Sequence, residues 1–333
     1  MIRNVCVYED PTMFGTHGIT AAVKQQSKAL RFVDVNVKEK PSEPYEVFHA
    51  NWCSPISLIR LKQAQRKGKL GIVFAHSGKD VIGGFTFSRL LSKPFIRWLV
   101  TFYRSGDLVI TPSSYTRDMI IDFGVSEEKI RVVSNGVDYE KVKFSRKKRK
   151  KYRDKFDLNK PTVIGVGQVI ARKAISLFVQ AAHLLPQYEF IWFGSRMNKL
   201  MMYDRDMDQA IANAPANMTF TGYVEDIQAA YSSGDLFFFP SYEENQGIVL
   251  LEAATRGIPI VTRDLPVYQG WLKDGDNCLK GNSLDQFVKL IEKGIENEDL
   301  RESLVSNAKE MADQHRLENI GERYLQIYER HLR

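Results

Sequence analysis

The stretch Asp235–Val261, DLFFFPSYEENQGIVLLEAATRGIPIV, decides the fold. Its aromatic run Leu236–Phe239 reads as a buried strand that ends at Pro240. Asn245 can cap a following helix, Gly257 suits the C-terminus of that helix, and Pro259 prevents its continuation into the next apolar run, IPIV. A strand, a loop, a helix and another strand follow in order, which is the repeating unit of a parallel sheet covered by helices. The first amides of the helix, at Gln246, Gly247, Ile248 and Val249, are expected to point unpaired out of the sheet end. Gly247 would let an anion approach the backbone closely there.

The same rhythm extends in both directions. Strands are expected near NVCVY, FVDVNV, YEVFHA, LGIVFAH, DLVITP and KIRVV in the first half, and near TVIGVG, EFIWFG, NMTFTG, DLFFFP and IPIVT in the second. Between them lie helical patterns such as GITAAVKQQSKAL, AISLFVQAAHLL and VEDIQAAYSSG. The reading is α/β, with two doubly wound, Rossmann-like domains facing each other across a cleft at the carboxyl ends of their strands, where such sheets bind ligands. The expected division is 1–145, 146–316 and a C-terminal helix over 317–333 that packs back on the first domain. In that helix Ile320, Tyr324, Ile327 and Tyr328 recur at three- and four-residue spacing.

Length and composition agree: 333 residues suit two domains, and 44% hydrophobic with 26% charged residues is ordinary for a globular chain. Three scattered cysteines, Cys6, Cys53 and Cys278, form neither a disulfide framework nor a zinc site. The opening MIRNVCVYEDPT lacks the pattern of a signal peptide, and no apolar run reaches the ~18 residues that span a bilayer. A cytoplasmic protein, peripheral on the inner face of the membrane if it meets lipid at all, is the expectation. The net charge of +7 is unevenly placed: residues 141–155 hold ten basic side chains and one acid. Such a run attracts nucleic-acid phosphates or anionic headgroups, or else is a solvated linker.

Glu244 and Glu252 are eight residues apart, roughly 12 Å along a helix. That exceeds the ~5–9.5 Å between glycosidase carboxyls and suits a ligand with two hydroxyl-bearing ends, such as a sugar nucleotide. A solvated loop acid and a helix-surface acid account for the spacing equally well. Three other candidates point elsewhere. DRDMD at 204–208 has the look of a metal-binding D-x-D, although its spacing also fits an exposed helical face. GVGQVI fails as a dinucleotide loop because Ile170 stands where the third glycine is needed. His49 and His183 read as structural, His183 as part of an apolar core helix.

The ordered set of these elements resembles the retaining glycosyltransferases of family 4, which adopt the GT-B fold. The segment from Pro240 with Glu244, Gly247 and Glu252 is similar to the family's E-x7-E element. SNGVD at 134–138 resembles its N-G-V-D element, VGQVIARKA at 166–174 its glycine- and lysine-bearing loop, MFGTHG at 13–18 its glycine-rich turn, and His76 its strand-end histidine. Gln168, Ala174 and Gln246 depart from the family's arginine, glycine and phenylalanine, with Arg172 available to supply charge. The resemblance implies a nucleotide-sugar donor, UDP-glucose or UDP-galactose, and neither cofactor nor metal. It implies catalytic roles for His76, Glu244 and Lys173. Donor contacts would come from Gly15, Thr16, Gly167, Gln168, Arg172, Lys173, Gly194, Tyr223, Val224, Asn245, Gln246, Gly247, Ile248, Val249 and Glu252, with Glu252 on the ribose and Glu244 orienting the hexose.

The acceptor is read from FSRLLSKPFIRWLVTFYRSG, 87–106, whose basic and aromatic residues fit a helix lying among headgroups. A buried domain helix with basic ends and Pro94 at its start or kink is the alternative. Arg89, Lys93, Arg97, Trp98 and Arg104, with Lys147, Lys148, Arg149 and Lys150, are the expected membrane contacts. The combined features are similar to the synthases of Gram-positive bacteria that add hexoses to diacylglycerol lipids. A glycosyl-diacylglycerol acceptor on an anionic membrane is implied, rather than a polysaccharide, a polyprenyl-linked sugar or a nucleic acid.

Overall fold

The computed structural model describes residues 2–10, 17–76, 88–196 and 204–332, with backbone only at 17 and 88–92. They form two compact units: the described residues up to Gly136 join His315 onward in the first, and Val137–Gln314 make the second.

The first unit is built on six parallel strands, β1 (Asn4–Tyr8), β2 (Asn36–Lys38), β3 (Val47–Ala50), β4 (Leu70–Phe74), β5 (Leu108–Thr111) and β6 (Ile130–Val132), in the order β2-β1-β3-β4-β5-β6. Its central strands are buried on both faces, which explains their unbroken apolar runs. One face is covered by α1 (His17–Phe32) and the C-terminal helix α13 (Leu317–Leu332). Ile320, Tyr324 and Tyr328 there join Val5, Val7 and Leu30 in one core. Gly321 allows this approach, since a β-carbon there would lie 2.2 Å from the Ala29 carbonyl oxygen. On the other face α2 (Pro55–Arg66), α3 (Ser88–Arg104) and α4 (Ser114–Asp122) bury Leu61, Leu99, Phe102 and Ile120.

In the second unit β7 (Thr162–Val166), β8 (Glu189–Phe193), β9 (Met218–Phe220), β10 (Leu236–Phe239), β11 (Ile260–Arg263) and β12 (Leu279–Gly281) are parallel in the order β12-β11-β10-β7-β8-β9. Aromatic rings hold its centre: Phe178 stacks on Phe238 at 5.4 Å and meets Trp192 edge-on at 5.0 Å. Phe178 belongs to α7 (Ile175–Leu184), while α9 (Ile227–Ser233) and α10 (Ile248–Arg256) also pack on this core.

Three expectations change. The chain enters the second unit at Val137, ahead of the expected 145/146, because Val137 and Val142 are buried in that unit's core. The basic run is no linker but the helix α6 (Arg146–Lys155). Its Arg149 donates to the carbonyls of Ser232, Ser233 and Gly234, each at 3.1 Å, and to Asp235 at 2.7 Å. The guanidinium thus satisfies the open carbonyl end of α9. His183, finally, is exposed rather than core; it lies on the outer face of α7 with Nε2 3.0 Å from the Asn213 carbonyl.

Candidate active site

In the second unit the expected donor residues gather at the carboxyl ends of β7, β8 and β10. The chain leaves β7 and β8 at Gly167 and Gly194, which touch. Gly194 has φ +155°, and a β-carbon on it would stand 1.8 Å from the Gly167 carbonyl oxygen. Only glycine fits this contact, which is closed by Trp192 Nε1 donating to the same carbonyl at 2.8 Å. Gln168 follows, half-buried. A 3-10 turn over Ala171–Lys173 then runs into Ala174, which adopts the left-handed conformation at φ +53°, accounting for the family's glycine at this place.

The turn is clamped to the loop after β10. Tyr242 N–H donates to the Arg172 carbonyl at 2.9 Å, and Ser241 Oγ lies 3.1 Å from that same oxygen. This brings Lys173 Nζ onto the Glu244 carboxylate, which also accepts from Ser241 Oγ at 2.8 Å. Arg172 stands 3.8 Å from the same carboxylate and donates to the Glu243 carbonyl at 2.6 Å. Lys173 also sits 4.6 Å over the ring of Phe239. Glu244 is 8% exposed and Lys173 12%. Burial works to raise the Glu244 carboxyl, but Lys173, Arg172 and the hydrogen bonds outweigh it and hold it below its ordinary value.

Glu252 lies in the opposite regime. It is buried in α10, where Tyr231 Oη donates to Oε2 at 2.7 Å. Burial raises its carboxyl against the pull of Lys141 and the tyrosine hydrogen bond, with Asp138 adding to the rise. The spacing of the two glutamates gives no hint of this contrast.

The start of α10 also differs from expectation. Its N-cap is Gly247, in the left-handed conformation at φ +82°, and not Asn245. Glycine brings no side chain to cap the helix, so the first-turn amides of Ile248 and Val249 face the loop without an intrahelical partner. Asn245 and Gln246 lead into this turn, Gln246 buried. Tyr223 and Val224 lie in the loop after β9, Tyr223 exposed and Val224 packed at the rim of the core. The D-x-D candidate is structural: Asp204 caps α8 (Arg205–Ala212) and Asp208 pairs with Arg196. Among the described residues no three His, Cys, Asp or Glu side chains are grouped to hold a metal.

In the first unit His76 follows β4, half-buried and stacked on Phe74. Its Nε2 lies 2.9 Å from Asn51 Oδ1, to which Gln26 Nε2 also donates at 2.8 Å. Burial lowers the imidazole to about 4, so it is neutral at physiological pH. Nothing in the sequence marked Asn51 or Gln26; the pairing of β3 with β4 brings Asn51 to the ring, and α1 supplies Gln26. His49 is buried in the core, 2.7 Å from Tyr328 Oη. Gly15 and Thr16 lie outside the described residues.

The expected membrane contacts divide. Lys93 and Arg97 are exposed on α3. Trp98 is half-buried and donates to the Cys53 carbonyl, and Leu99 and Phe102 are buried in the core rather than displayed. Arg104 donates to the Gly124 carbonyl at 2.9 Å, and the Arg89 side chain lies outside the described residues. On α6, Lys148 and Arg149 pair with Asp226 and Asp235, whereas Lys147 and Lys150 are exposed, Lys150 beside Asp154 one turn on at 2.9 Å. No helix of the described residues is long and apolar enough to cross a membrane.

Residues 146–311 match the family of group 1 glycosyl transferases, and residues 17–141 match glycosyltransferase family 4. A processive diacylglycerol alpha-glucosyltransferase of Acholeplasma laidlawii is 35% identical over 96% of this chain and 95% of its own length. An alpha-galactosylglucosyldiacylglycerol synthase of Streptococcus pneumoniae is 30% identical over 70% of this chain and 64% of its own. Among solved structures, Anabaena HepE in complex with UDP-glucose superposes with a TM-score of 0.78 over 98% of this chain and 99% of that one, at 17% identity. The two sheets, the strand-end loops and these matches over nearly the whole length lead to one assignment: the chain belongs to the GT-B glycosyltransferases of group 1, with a family 4 N-terminal domain.

Proposed function

We propose that the protein transfers a hexose, glucose or galactose, from its UDP-sugar to a glycosyl-diacylglycerol, with retention of configuration, giving an α-linked diglycosyl lipid. The end-to-end likeness to a diacylglycerol alpha-glucosyltransferase carries this reading. The chemistry of the strand ends supports it. As the sugar leaves UDP, negative charge grows on the diphosphate, and a preplaced ammonium at Lys173 with the first-turn amides of α10 can stabilise it without reorganisation. Arg172 adds charge beside them. Glu244 anchors Lys173 in this arrangement, and its loop orients the hexose. Glu252 takes the ribose hydroxyls, while Gly167, Gln168, Gly194, Tyr223 and Val224 line the nucleotide end. His76, a neutral ring, meets the transferred sugar. Docking to the inner face of an anionic membrane is part of the proposal, through Lys93 and Arg97 on α3 and Lys147 and Lys150 on α6.

The test is mass spectrometry of products from UDP-glucose and UDP-galactose offered with diacylglycerol, monoglucosyl-diacylglycerol and undecaprenyl-linked sugars. The expected product is a dihexosyl-diacylglycerol, with turnover raised by phosphatidylglycerol vesicles over phosphatidylcholine ones. Product on the undecaprenyl acceptor alone would overturn the lipid assignment, and indifference to vesicle charge would remove the docking.

A further inference from the structure

Behind His76 lies a polar arrangement that the chemistry above leaves unused. Gln26 from α1 and Asn51 at the end of β3 are 0% and 2% exposed, in a place where apolar side chains would pack. They converge on one point: Asn51 Oδ1 is 2.8 Å from Gln26 Nε2 and 2.9 Å from His76 Nε2. Their remaining polar atoms, Gln26 Oε1 and Asn51 Nδ2, are buried without a hydrogen-bond partner among the described residues. Each such atom costs ~1–3 kcal/mol, so the pair is a poor device for stability. It is a good device for holding an imidazole.

We propose that Asn51 is a positioning residue for His76: its carbonyl oxygen, fixed by Gln26, holds the ring in one orientation and keeps the proton on Nε2. The inference rests on the reading that His76 meets the transferred sugar. A neutral imidazole whose Nε2–H donates to Asn51 carries its lone pair on Nδ1, so a buried amide sets the character of the ring's opposite edge. Among the described residues, the groups recorded against the ring are uncharged: Gln26 and Asn51 at Nε2, the Phe74 ring at 5.9 Å on its face, and beyond Phe74 the rings of His49 and Tyr324. His49 is itself held neutral, lowered to about 3 by burial. No carboxylate among them raises His76, which fits a role that calls for an uncharged ring.

The variants Asn51→Leu, Asn51→Asp and His76→Ala, assayed with UDP-glucose and monoglucosyl-diacylglycerol, test this together with nitrogen NMR of the histidine rings. Asn51→Leu takes the shared acceptor from Gln26 Nε2 and the His76 ring, so it should lower the melting temperature; in the protein that remains folded it should lower kcat ~10–100-fold, with a smaller change in KM, because a misdirected ring is lost positioning. Asn51→Asp puts a carboxyl group beside Nε2 and should raise the ring's titration above its present value of about 4. Its kcat should then gain an acid limb that the parent lacks, a change that a purely structural asparagine would not produce. An Nδ1–H tautomer in the parent, or a pH profile in Asn51→Asp parallel to that of the parent, overturns the inference. So does an undiminished kcat in Asn51→Leu beside a slow His76→Ala. Full turnover in His76→Ala overturns the underlying reading of the histidine itself.

Discussion

The pairing of Lys173 with Glu244 gives a quantity that can be measured apart from catalysis. Both side chains are nearly enclosed, at 12% and 8% exposure, so solvent screening does little to weaken the pair. Removing one partner of such a pair leaves a buried charge and typically costs ~3–5 kcal/mol, whereas removing both can be close to neutral. Lys173→Met, Glu244→Gln and the double variant should therefore not add. In urea unfolding followed by tryptophan fluorescence, to which buried Trp192 contributes, the coupling should be ~2–3 kcal/mol. An asymmetry is expected as well: Glu244 keeps Arg172 at 3.8 Å when Lys173 is lost, so Lys173→Met should be the milder single change. The pair also has a pH signature. The Glu244 carboxyl is depressed in the folded protein, so its contribution is fully present above the ordinary value of 4.5 and is lost as the pH falls through the lowered one. The coupling should thus persist from neutral pH down to about 4.5 and shrink below that. Saturating UDP should raise the melting temperature of the parent more than that of Lys173→Met if the lysine meets the diphosphate as proposed. A coupling below ~0.5 kcal/mol, within ordinary additivity, would refute the view that Glu244 anchors a buried ammonium.

The raised Glu252 carboxyl carries the opposite sign: its stabilising share is present at low pH and is lost as the pH rises through the raised value. Glu252→Gln should accordingly keep or raise the melting temperature at pH 8 while weakening UDP-glucose binding in calorimetry; a clear loss of stability would contradict the burial argument. Gly194→Ala should cost ~3 kcal/mol or more in urea, because its β-carbon meets the Gly167 carbonyl. Gly222→Ala is the control: with φ +70° and open space around the new carbon, it should cost only ~1–2 kcal/mol. Arg149→Met should lower the urea midpoint by removing the cap on α9, while the exposed Lys147→Gln leaves it unchanged and weakens sedimentation with anionic vesicles. Equal stability losses at the two positions would contradict the division of α6 into an inward and an outward face.

What the sequence disclosed and what it hid follow from the range of the interactions involved. Strands such as LGIVF and LFFF were legible because burial on both faces leaves an unbroken apolar run that needs no partner to be recognised. The edge strand Leu279–Gly281 was not, since three residues with a lysine in the middle have no such run. Gly247 was recognised as special, but its left-handed turn makes it the cap itself and moves Asn245 out of that role. The basic run was misjudged for a related reason: ten positive charges read as solvated or lipid-facing, yet Lys148, Arg149 and Arg153 find Asp226 and Asp235 some eighty residues further on. The same long reach assembles the groups of greatest consequence. Glu244 and Glu252 are both glutamates, eight residues apart, and the sequence offers no ground for expecting their carboxyls to shift in opposite directions. Lys173, from the loop after β7, holds one as an anion, and Tyr231, from α9, meets the other where burial favours its proton. The two carboxyls acquire different chemistry only when the sheet order β10-β7-β8 sets their neighbours. The two glutamates of one motif thus differ in the direction in which their carboxyls are shifted, down by cations from the loop after β7 for Glu244 and up by burial for Glu252.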